Sequence, residues 1–326
     1  MSAYLWTMVI GSALIFVLYG LRCAKAVRLP QLRGRAWRTA LLAFLFAILF
    51  GTVLSRVGYA VLTQELDFEY EGIEAFSTLL IFEEFGSPHL SFFCGAVGVC
   101  LGVLLAGRLA AKGTAFIRMD AFAPFGALLV ALFRLGELFF EIYGLGRTLP
   151  KDSPLSFFPF AVKITDAGGY ESWRWAICVL SALFALVWAA VAFFRLRSRG
   201  RAGFGFTLTV FFLSLTQILC ESLRTTGIMW LFVHAEQLLC AVVLLIVMLV
   251  WILKSGKDMP LLLRRWAPLA ALILCAGLLV ALEFAIDGKL FNIPLPVSYL
   301  VMCAVLVAIS FAGAAAARRW NTAKAA

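Results

Sequence analysis

Long apolar runs, each about as long as the hydrocarbon core of a bilayer is thick, dominate this sequence. A helix that crosses a membrane needs about 20 consecutive, mostly apolar residues. Of the 326 residues, 63% are hydrophobic and only 14% are charged, which is not the composition of a soluble domain. We therefore predict an all-α integral membrane protein with about nine transmembrane helices. The predicted spans are residues 4–22, 38–62, 88–110, 120–143, 172–194, 204–224, 231–253, 266–286 and 297–317.

Basic side chains are concentrated in every second connecting segment. The segment from Arg22 to Arg38 is rich in Lys and Arg, whereas the next one, at 64–84, is acidic. Because Lys and Arg mark the cytoplasmic side of a membrane, this alternation predicts an outside N-terminus and a cytoplasmic C-terminus. The net charge of +10 follows from these basic loops and their attraction to anionic lipids. We therefore expect no nucleic-acid partner.

The eight cysteines give no sign of a metal or redox site. They form no Cys-x-x-Cys pair and lie almost wholly inside the predicted spans, as small apolar side chains do. The only histidines that could add metal ligands are His89 and His234. Zinc sites usually need four such ligands, so we expect neither a metal nor another cofactor.

Charged residues inside the predicted spans are the strongest functional signal. An ionised group in hydrocarbon costs at least about 2.5 kcal/mol unless it is paired or hydrated, and such residues usually mark function. With a helix rise of about 1.5 Å per residue, all of them fall in the outer half of the membrane. They are Arg56, Arg134, Glu137, Glu141, Glu221, Arg224 and Glu236.

Most of these charges share helix faces, because residues three or four positions apart lie on one side of a helix. One polar face is formed by Arg134, Glu137 and Glu141, and a second by Gln217, Glu221 and Arg224. Two interpretations remain open. The faces form interhelical ion pairs that only fix the packing, or they line a wet, outward-opening pocket for an anionic lipid head group. Arginine suits the pocket, because its planar fork binds phosphate oxygens.

The sequence around Arg134 resembles a known family. Residues 133–147, which read FRLGELFFEIYGLGR, are similar to the Arg-x-Gly-Asn-Phe signature and trailing Gly-Arg of the prolipoprotein diacylglyceryl transferases. Asp120, Ala123 and Pro124 match that family's Asp-x-x-Ala-Pro entry to the same helix. This stretch is the most specific part of the resemblance.

Two further motifs extend the resemblance to residues 1 to about 255. Residues 90–98 are similar to the family's Leu-Ser-Phe-His-Gly-Gly opening of the third span. The run Glu221 to Arg224, followed by Glu236 and Gln237, is similar to its Glu-x-x-Arg and Gly-Gln elements. The order, the spacing and the predicted topology of the motifs agree.

The chain also departs from the family motifs. Phe93 stands at the position of the signature histidine, and Cys94 replaces the glycine after it. Glu137 replaces the signature asparagine, and Gln217 stands where a second arginine is expected. The motif residues that the chain keeps are Arg134, Gly136, Gly144, Arg147, Glu221 and Arg224.

The resemblance implies an activity and its partners. Members of this family move diacylglycerol from phosphatidylglycerol to a lipoprotein cysteine at the outer leaflet of the bacterial cytoplasmic membrane. We therefore expect phosphatidylglycerol or a related anionic phospholipid and a lipoprotein precursor as partners in the bilayer. The altered motif residues leave two alternatives, namely a phospholipid-binding or transport protein without catalytic activity, and a structural scaffold.

Site residues follow from the motifs and from the intramembrane charges. The predicted catalytic residues are Arg134, Glu137, Glu221 and His89. His89 is a candidate base because it lies one helical turn before Phe93, and Glu137 and Glu141 are alternative bases. The predicted phospholipid-binding residues are Arg134, Gly136, Gly144, Arg147, Arg224, Arg56 and Gln217.

The chain divides into two predicted parts. Residues 1–255 form the transferase-like transmembrane domain with seven helices, and residues 256–326 form a C-terminal hairpin of two helices with a basic tail. The hairpin shows no polar stripe and contains small residues such as Gly277 and Gly313. Small residues let helices pack closely, so we predict a packing or oligomerisation role for it.

Overall fold

The described part of the chain is a bundle of long helices. The computed structural model describes residues 3–26, 30–63, 90–110, 113–140, 144–150, 153–165, 169–195, 201–225, 227–230, 233–255, 262–286 and 293–322. Within these ranges, nine helices are long and apolar enough to cross a membrane. They are α1 (Ala3–Ala24), α3 (Ala36–Thr63), α4 (Phe92–Ala110), α5 (Ala115–Gly136), α6 (Ile177–Arg195), α7 (Phe204–Leu223), α8 (Ala235–Lys254), α9 (Leu262–Ile286) and α10 (Leu295–Thr322), with a short α2 (Pro30–Arg33) before α3. The predicted fold class is confirmed.

Large apolar side chains cover the outside of this bundle. Leu274 on α9 and Phe311 on α10, for example, are 75% and 73% exposed. Exposing such side chains to water is unfavourable, by roughly 1.5–3 kcal/mol each relative to burial. Lipid tails remove this cost, so the outer surface fits the protein to the hydrocarbon of a bilayer.

Helices α3 and α4 approach each other closely through glycines. Gly98 and Gly102 lie about one turn apart on α4, and a Cβ atom on Gly102 would come within 2.7 Å of the carbonyl carbon of Phe46. Small residues at this spacing let transmembrane helices pack backbone against backbone. At the far end of the pair, the Ser55 hydroxyl donates to the Ser91 carbonyl oxygen at 2.7 Å. The glycines therefore fix the separation of α3 and α4.

The C-terminal hairpin, α9 and α10, shares a hydrophobic core with α7 and α8. Phe211, Met248, Leu282 and Met302 are among the buried members of this core, one from each helix. The hairpin is thus packed along the α7–α8 side of the bundle. The domain boundary predicted at residue 255 stays a prediction, because the helices on either side of it share one hydrophobic core.

A buried carboxylate in the hairpin was not expected from its apolar sequence. Glu283 on α9 is buried, and its Oε1 accepts a hydrogen bond from Gln237 Nε2 of α8 at 2.7 Å. One glutamate among many apolar residues creates no stripe, so periodicity did not reveal it. The contact joins the hairpin to the residue that follows Glu236.

A small sheet lies between α5 and α6. Strands β1 (Thr148–Leu149), β3 (Glu171–Trp175) and β2 (Ala161–Thr165) pair antiparallel in that spatial order. The predicted span from residue 172 therefore begins too early, and α6 starts at Ile177. Alternating polar and aromatic residues are typical of a strand, which explains why this stretch does not join the helix.

Asp120 has a clear structural role at the opposite end of the bundle from the charged cluster. Its carboxylate oxygens accept hydrogen bonds from the backbone N–H groups of Gly203 at 2.6 Å and Phe206 at 2.8 Å. These donors belong to the start of α7, where backbone N–H groups have no partner within the helix. The Asp-x-x-Ala-Pro motif thus ties α5 to α7.

The glycine contact between α3 and α4 gives a stability prediction. We expect Gly102→Ala to lower the free energy of unfolding by about 1–3 kcal/mol, because the new methyl group would overlap the Phe46 backbone. Gly277→Ala is the matched control in α9, since no atom lies within 4 Å of its added Cβ, and alanine favours a helix by about 1 kcal/mol. The midpoint of thermal unfolding in detergent is measured for both variants. An equal midpoint for the two would contradict the prediction.

Candidate functional site

Charged residues from distant parts of the chain meet at one end of the bundle. Arg134 lies in the last turn of α5, Glu221 in the last turn of α7 and Glu236 in the first turn of α8. The three side chains form one cluster because α5 and α7 end where α8 begins. The positions of these residues along the predicted spans predict such a layer.

Arg134 is the centre of this cluster. Its side chain is fully buried, and its guanidinium forms ion pairs with three carboxylates. One terminal nitrogen pairs with Glu137, and the other lies 3.0 Å from Glu221 Oε1 and 3.4 Å from Glu236 Oε2. The ring of Phe92 covers the guanidinium at 3.8 Å, in a cation–π arrangement. A buried arginine is tolerated because these partners replace water.

Glu137 bridges the two arginines of the site. Its Oε1 pairs with Arg134, and its Oε2 pairs with Arg224. Arg224 also lies 3.3 Å from Glu221 Oε1, which in addition accepts a hydrogen bond from Gln217 Nε2. Three carboxylates therefore face two guanidiniums, so the five groups carry a net charge of −1 when all are ionised.

The glycines after α5 allow this arrangement. Gly144 has a φ of +78°, a conformation that favours glycine, and a Cβ at this position would collide with the Glu137 carboxylate. Gly146 forms an isolated β-bridge with Arg224. The Leu145 carbonyl oxygen accepts a hydrogen bond from the Thr225 N–H at 3.2 Å. The loop thus holds the end of α7 and positions Arg224.

The N-terminus of α4 is attached to the same cluster. Glu236 Oε1 accepts hydrogen bonds from the backbone N–H of Phe93 at 3.2 Å and from the Ser91 hydroxyl at 3.4 Å. The other carboxylate oxygen pairs with Arg134. A carboxylate at a helix N-terminus is stabilised by the N–H groups there. Glu236 therefore links α4, α5 and α8 through one side chain.

A large cavity adjoins the cluster. It measures about 1870 Å³, and its lining follows α3 from Phe44 to Thr63 and α4 from Phe92 to Leu104. The charged cluster supplies a polar region, and most of the remaining lining is apolar. Pockets for drug-sized ligands measure roughly 300–1,000 Å³, so this cavity has room for a ligand with a polar head and long apolar chains.

Both arginines keep an unused hydrogen-bond donor. Arg134 Nε and Arg224 Nε are buried and have no hydrogen-bond partner among the described residues. Buried donors are nearly always paired, and an arginine can donate up to five hydrogen bonds. The two side chains line the cavity, so a ligand oxygen could accept hydrogen bonds from these N–H groups once a shift of the side chains exposes them.

Several of the predicted site residues lie at this cavity. Gln217 and Gly144 belong to its lining together with the charged cluster, and so does Phe93, which was not predicted as a site residue. Gly136 instead lies under α1, where a Cβ would come within 2.6 Å of Met8 Cε and 2.9 Å of the Tyr4 ring. Gly136 therefore allows α1 to pack over the end of α5.

Two further predicted site residues, Arg147 and Arg56, lie away from the cavity lining. Arg147 is exposed and Arg56 is half-buried, and neither belongs to the cavity lining. His89 and Glu141 lie outside the described residues. Their roles stay predictions from the sequence.

His234 was not predicted as a site residue, although its side chain lines the cavity. It sits at the end of a short hairpin of β4 (Met229–Trp230) and β5 (Val233–His234), which joins α7 to α8. The available signal was its position two residues before Glu236, at the predicted start of an apolar span. That signal was weak, because a histidine at a membrane boundary is often only solvated.

The dense ion pairing gives a second stability prediction. We expect Glu221→Gln to lower the free energy of unfolding by about 2 kcal/mol, because hydrogen bonds to charged groups contribute roughly 1.5–3 kcal/mol each. Glu283→Gln is the matched control, since the only described partner of that buried carboxylate is the neutral amide of Gln237. Denaturant titration in detergent measures the loss in free energy of unfolding for each of the two variants. Equal losses of stability would show that the arginine contacts add nothing.

Comparison with known proteins agrees with the motifs. The family model described as "Prolipoprotein diacylglyceryl transferase" matches residues 2–253, which is most of the chain and reaches from α1 into the last turn of α8. No individual curated protein matches the sequence. Because the family match covers far more than half of the 326 residues and the described helices give the expected membrane bundle, the chain is a multi-pass membrane protein that belongs to the prolipoprotein diacylglyceryl transferase family.

Proposed function

We propose that this protein is a phosphatidylglycerol-dependent diacylglyceryl transferase that modifies a lipoprotein cysteine and works with altered catalytic residues. Membership of a transferase family supports the general activity. The donor is taken from the family resemblance, since phosphatidylglycerol supplies both the diacylglycerol and an anionic phosphate. The expected site is the outer leaflet of the bacterial cytoplasmic membrane, with the N-terminus outside.

The unpartnered arginine donors at the cavity carry this proposal. Arg134 Nε and Arg224 Nε are buried without partners, beside a mostly apolar cavity of about 1870 Å³. A phospholipid phosphate offers the oxygen acceptors that these donors lack, and its acyl chains suit the apolar lining. A scaffold that used its arginines only for packing would not need such a cavity.

The proposed reaction assigns a role to each group. The lipoprotein thiol loses its proton, and its sulfur attacks the glycerol carbon that carries the phosphate ester. The carbon–oxygen bond breaks, its electron pair stays on the phosphate oxygen, and glycerol phosphate leaves. Arg134 and Arg224 would stabilise the negative charge that develops on the phosphate, while Glu221 and Glu236 hold the guanidinium of Arg134 in place.

The C-terminal hairpin has a supporting role in this proposal. We propose residues 1–255 as the transferase-like domain and residues 256–326 as an appended hairpin. The buried contact between Glu283 and Gln237 supports a packing role, because it holds the first turn of α8. Glu236, which pairs with Arg134, lies in that same turn.

A direct assay tests the proposed activity. Purified protein, phosphatidylglycerol micelles and a peptide with a lipoprotein-precursor cysteine should give glycerol phosphate and a peptide heavier by one diacylglycerol. We expect Arg134→Ala to abolish both products, because the phosphate loses its central cation. Arg108→Ala is the matched control, since Arg108 is exposed at the opposite end of α4 from Phe92, and it should keep the wild-type rate.

A phospholipid-binding or transport protein is the second candidate function. The observation that favours it is Phe93, which lines the cavity at the position of the family's histidine. Lipid binding that depends on Arg134, without any release of glycerol phosphate from the wild-type protein, would support this alternative. Release by the wild type would exclude it.

Glu137 should oppose binding of the lipid phosphate. Its carboxylate engages both arginines, and it is one of three carboxylates that face only two guanidiniums. We expect Glu137→Asn, which introduces the family's motif residue, to strengthen phosphatidylglycerol binding about tenfold, which corresponds to about 1.4 kcal/mol of relieved repulsion. Glu171→Gln is the control, because Glu171 forms an exposed ion pair with Lys163 on the small sheet. Weaker lipid binding by Glu137→Asn, measured by fluorescence titration, would contradict this role.

A further inference from the structure

We propose that His234 is the general base that takes the proton from the lipoprotein thiol. This assignment rests on the proposed transferase function and deepens it. It fills the role that the family's motif gives to a histidine at the position of Phe93, but it uses a side chain from a different element of the fold.

The β4–β5 hairpin fixes the position of His234. The residue pairs with Met229 in the antiparallel hairpin, and the next residue, Ala235, donates its N–H to the Ile228 carbonyl oxygen at 2.8 Å. His234 also precedes the first turn of α8, which contains Glu236. Its backbone is therefore held by both a hairpin and a helix start, and its half-buried side chain lines the cavity.

One imidazole nitrogen of His234 and one carboxylate oxygen of Glu221 lie near the same glycine, Gly227. His234 Nδ1 is buried and has no hydrogen-bond partner among the described residues. A Cβ on Gly227 would lie 2.9 Å from Nδ1 and 4.0 Å from Glu221 Oε2. The missing side chain of Gly227 thus leaves a gap that both atoms border.

Glu221 can support the imidazole without leaving the arginines. Its side-chain ion pairs and hydrogen bond with described residues are made through Oε1, which pairs with Arg134 and Arg224 and accepts from Gln217. The second carboxylate oxygen, Oε2, borders the gap at Gly227 that His234 Nδ1 also borders. A hydrogen bond from Nδ1 to Oε2 across this gap would orient the ring and stabilise the imidazolium, so that the other nitrogen accepts the proton.

The carboxylates of the cluster are poorer candidates for the base. Both oxygens of Glu137 are bound by arginines. Glu236 uses one oxygen for Arg134 and the other for Ser91 and the Phe93 N–H. Among the described residues that line the cavity, His234 is the only histidine, and imidazole is the usual general base near neutral pH.

The proton transfer completes the reaction. His234 takes the thiol proton while sulfur forms its bond to the glycerol carbon, and the ester oxygen departs on glycerol phosphate. The imidazolium then gives the proton to the departing phosphate or to water. One sulfur–carbon bond replaces one carbon–oxygen bond, and no oxidant, reductant or further reactant is needed.

The first test is the His234→Ala variant of the full-length protein, assayed with phosphatidylglycerol micelles and the cysteine peptide. We expect glycerol phosphate release to fall about 100-fold or more, within the range that general bases contribute. Phosphatidylglycerol binding should stay close to wild type, which shows that the variant is folded. Added imidazole should restore part of the rate, because it can replace a missing base but cannot repair a structural defect.

A second variant tests the position of the ring. Gly227→Ala places a methyl group 2.9 Å from Nδ1, and the imidazole can move away without disturbing the backbone. We expect this variant to fold and bind lipid normally but to lose most of its transferase rate.

The outcomes separate the two proposals. An active wild type with His234→Ala within threefold of its rate overturns the assignment of the base and leaves the transferase function standing. If His89→Ala loses activity and His234→Ala does not, the assignment of His234 as the base is likewise overturned and the transferase function stands. A wild-type protein that releases no glycerol phosphate overturns the transferase function and this assignment together.

Discussion

The buried charge of Arg134 is the constraint on which the site depends. A guanidinium with no exposed surface is stable in a membrane protein only if other charges replace its water. Glu137, Glu221 and Glu236 supply this replacement. They come from the end of α5, the end of α7 and the start of α8, so satisfying one arginine also fixes how three elements meet. The Phe92 ring and the Glu236 contact with the Phe93 N–H bring α4 into the same arrangement.

The same cluster that stabilises the fold retains capacity for a ligand. Carboxylates occupy the terminal nitrogens of both arginines, but Arg134 Nε and Arg224 Nε remain buried and unpartnered among the described residues. Ion pairing for packing and phosphate binding, which the sequence offered as alternatives, are therefore compatible in one site. Glu137 is the residue through which we propose that the two compete, because its two oxygens engage both guanidiniums. Gly144 permits this bridge, since a side chain there would collide with the carboxylate.

Some features could be predicted because they depend on composition or on local spacing. Apolar runs predicted the helices, and the three- and four-residue spacing of the charges predicted shared faces. The strand at Glu171–Trp175 and the buried Glu283 were missed. The strand forms only because β1 and β2 pair with it on either side. The burial of Glu283 is tolerated because Gln237, which belongs to another helix, donates a hydrogen bond to its carboxylate. Neither partner is visible in the local sequence pattern.

The sequence by itself determined that this chain spans a membrane, that charged residues interrupt its apolar runs at helical spacing, and which family its motifs resemble. These properties follow from hydrophobic length, helix rise and residue order. Only the tertiary structure decided which charges pair, that Arg147 lies away from the cavity, and that His234 lines it. The reason is physical, because pairing and burial depend on distances between atoms that are remote in sequence. The packing of α4, α5, α7 and α8 sets those distances.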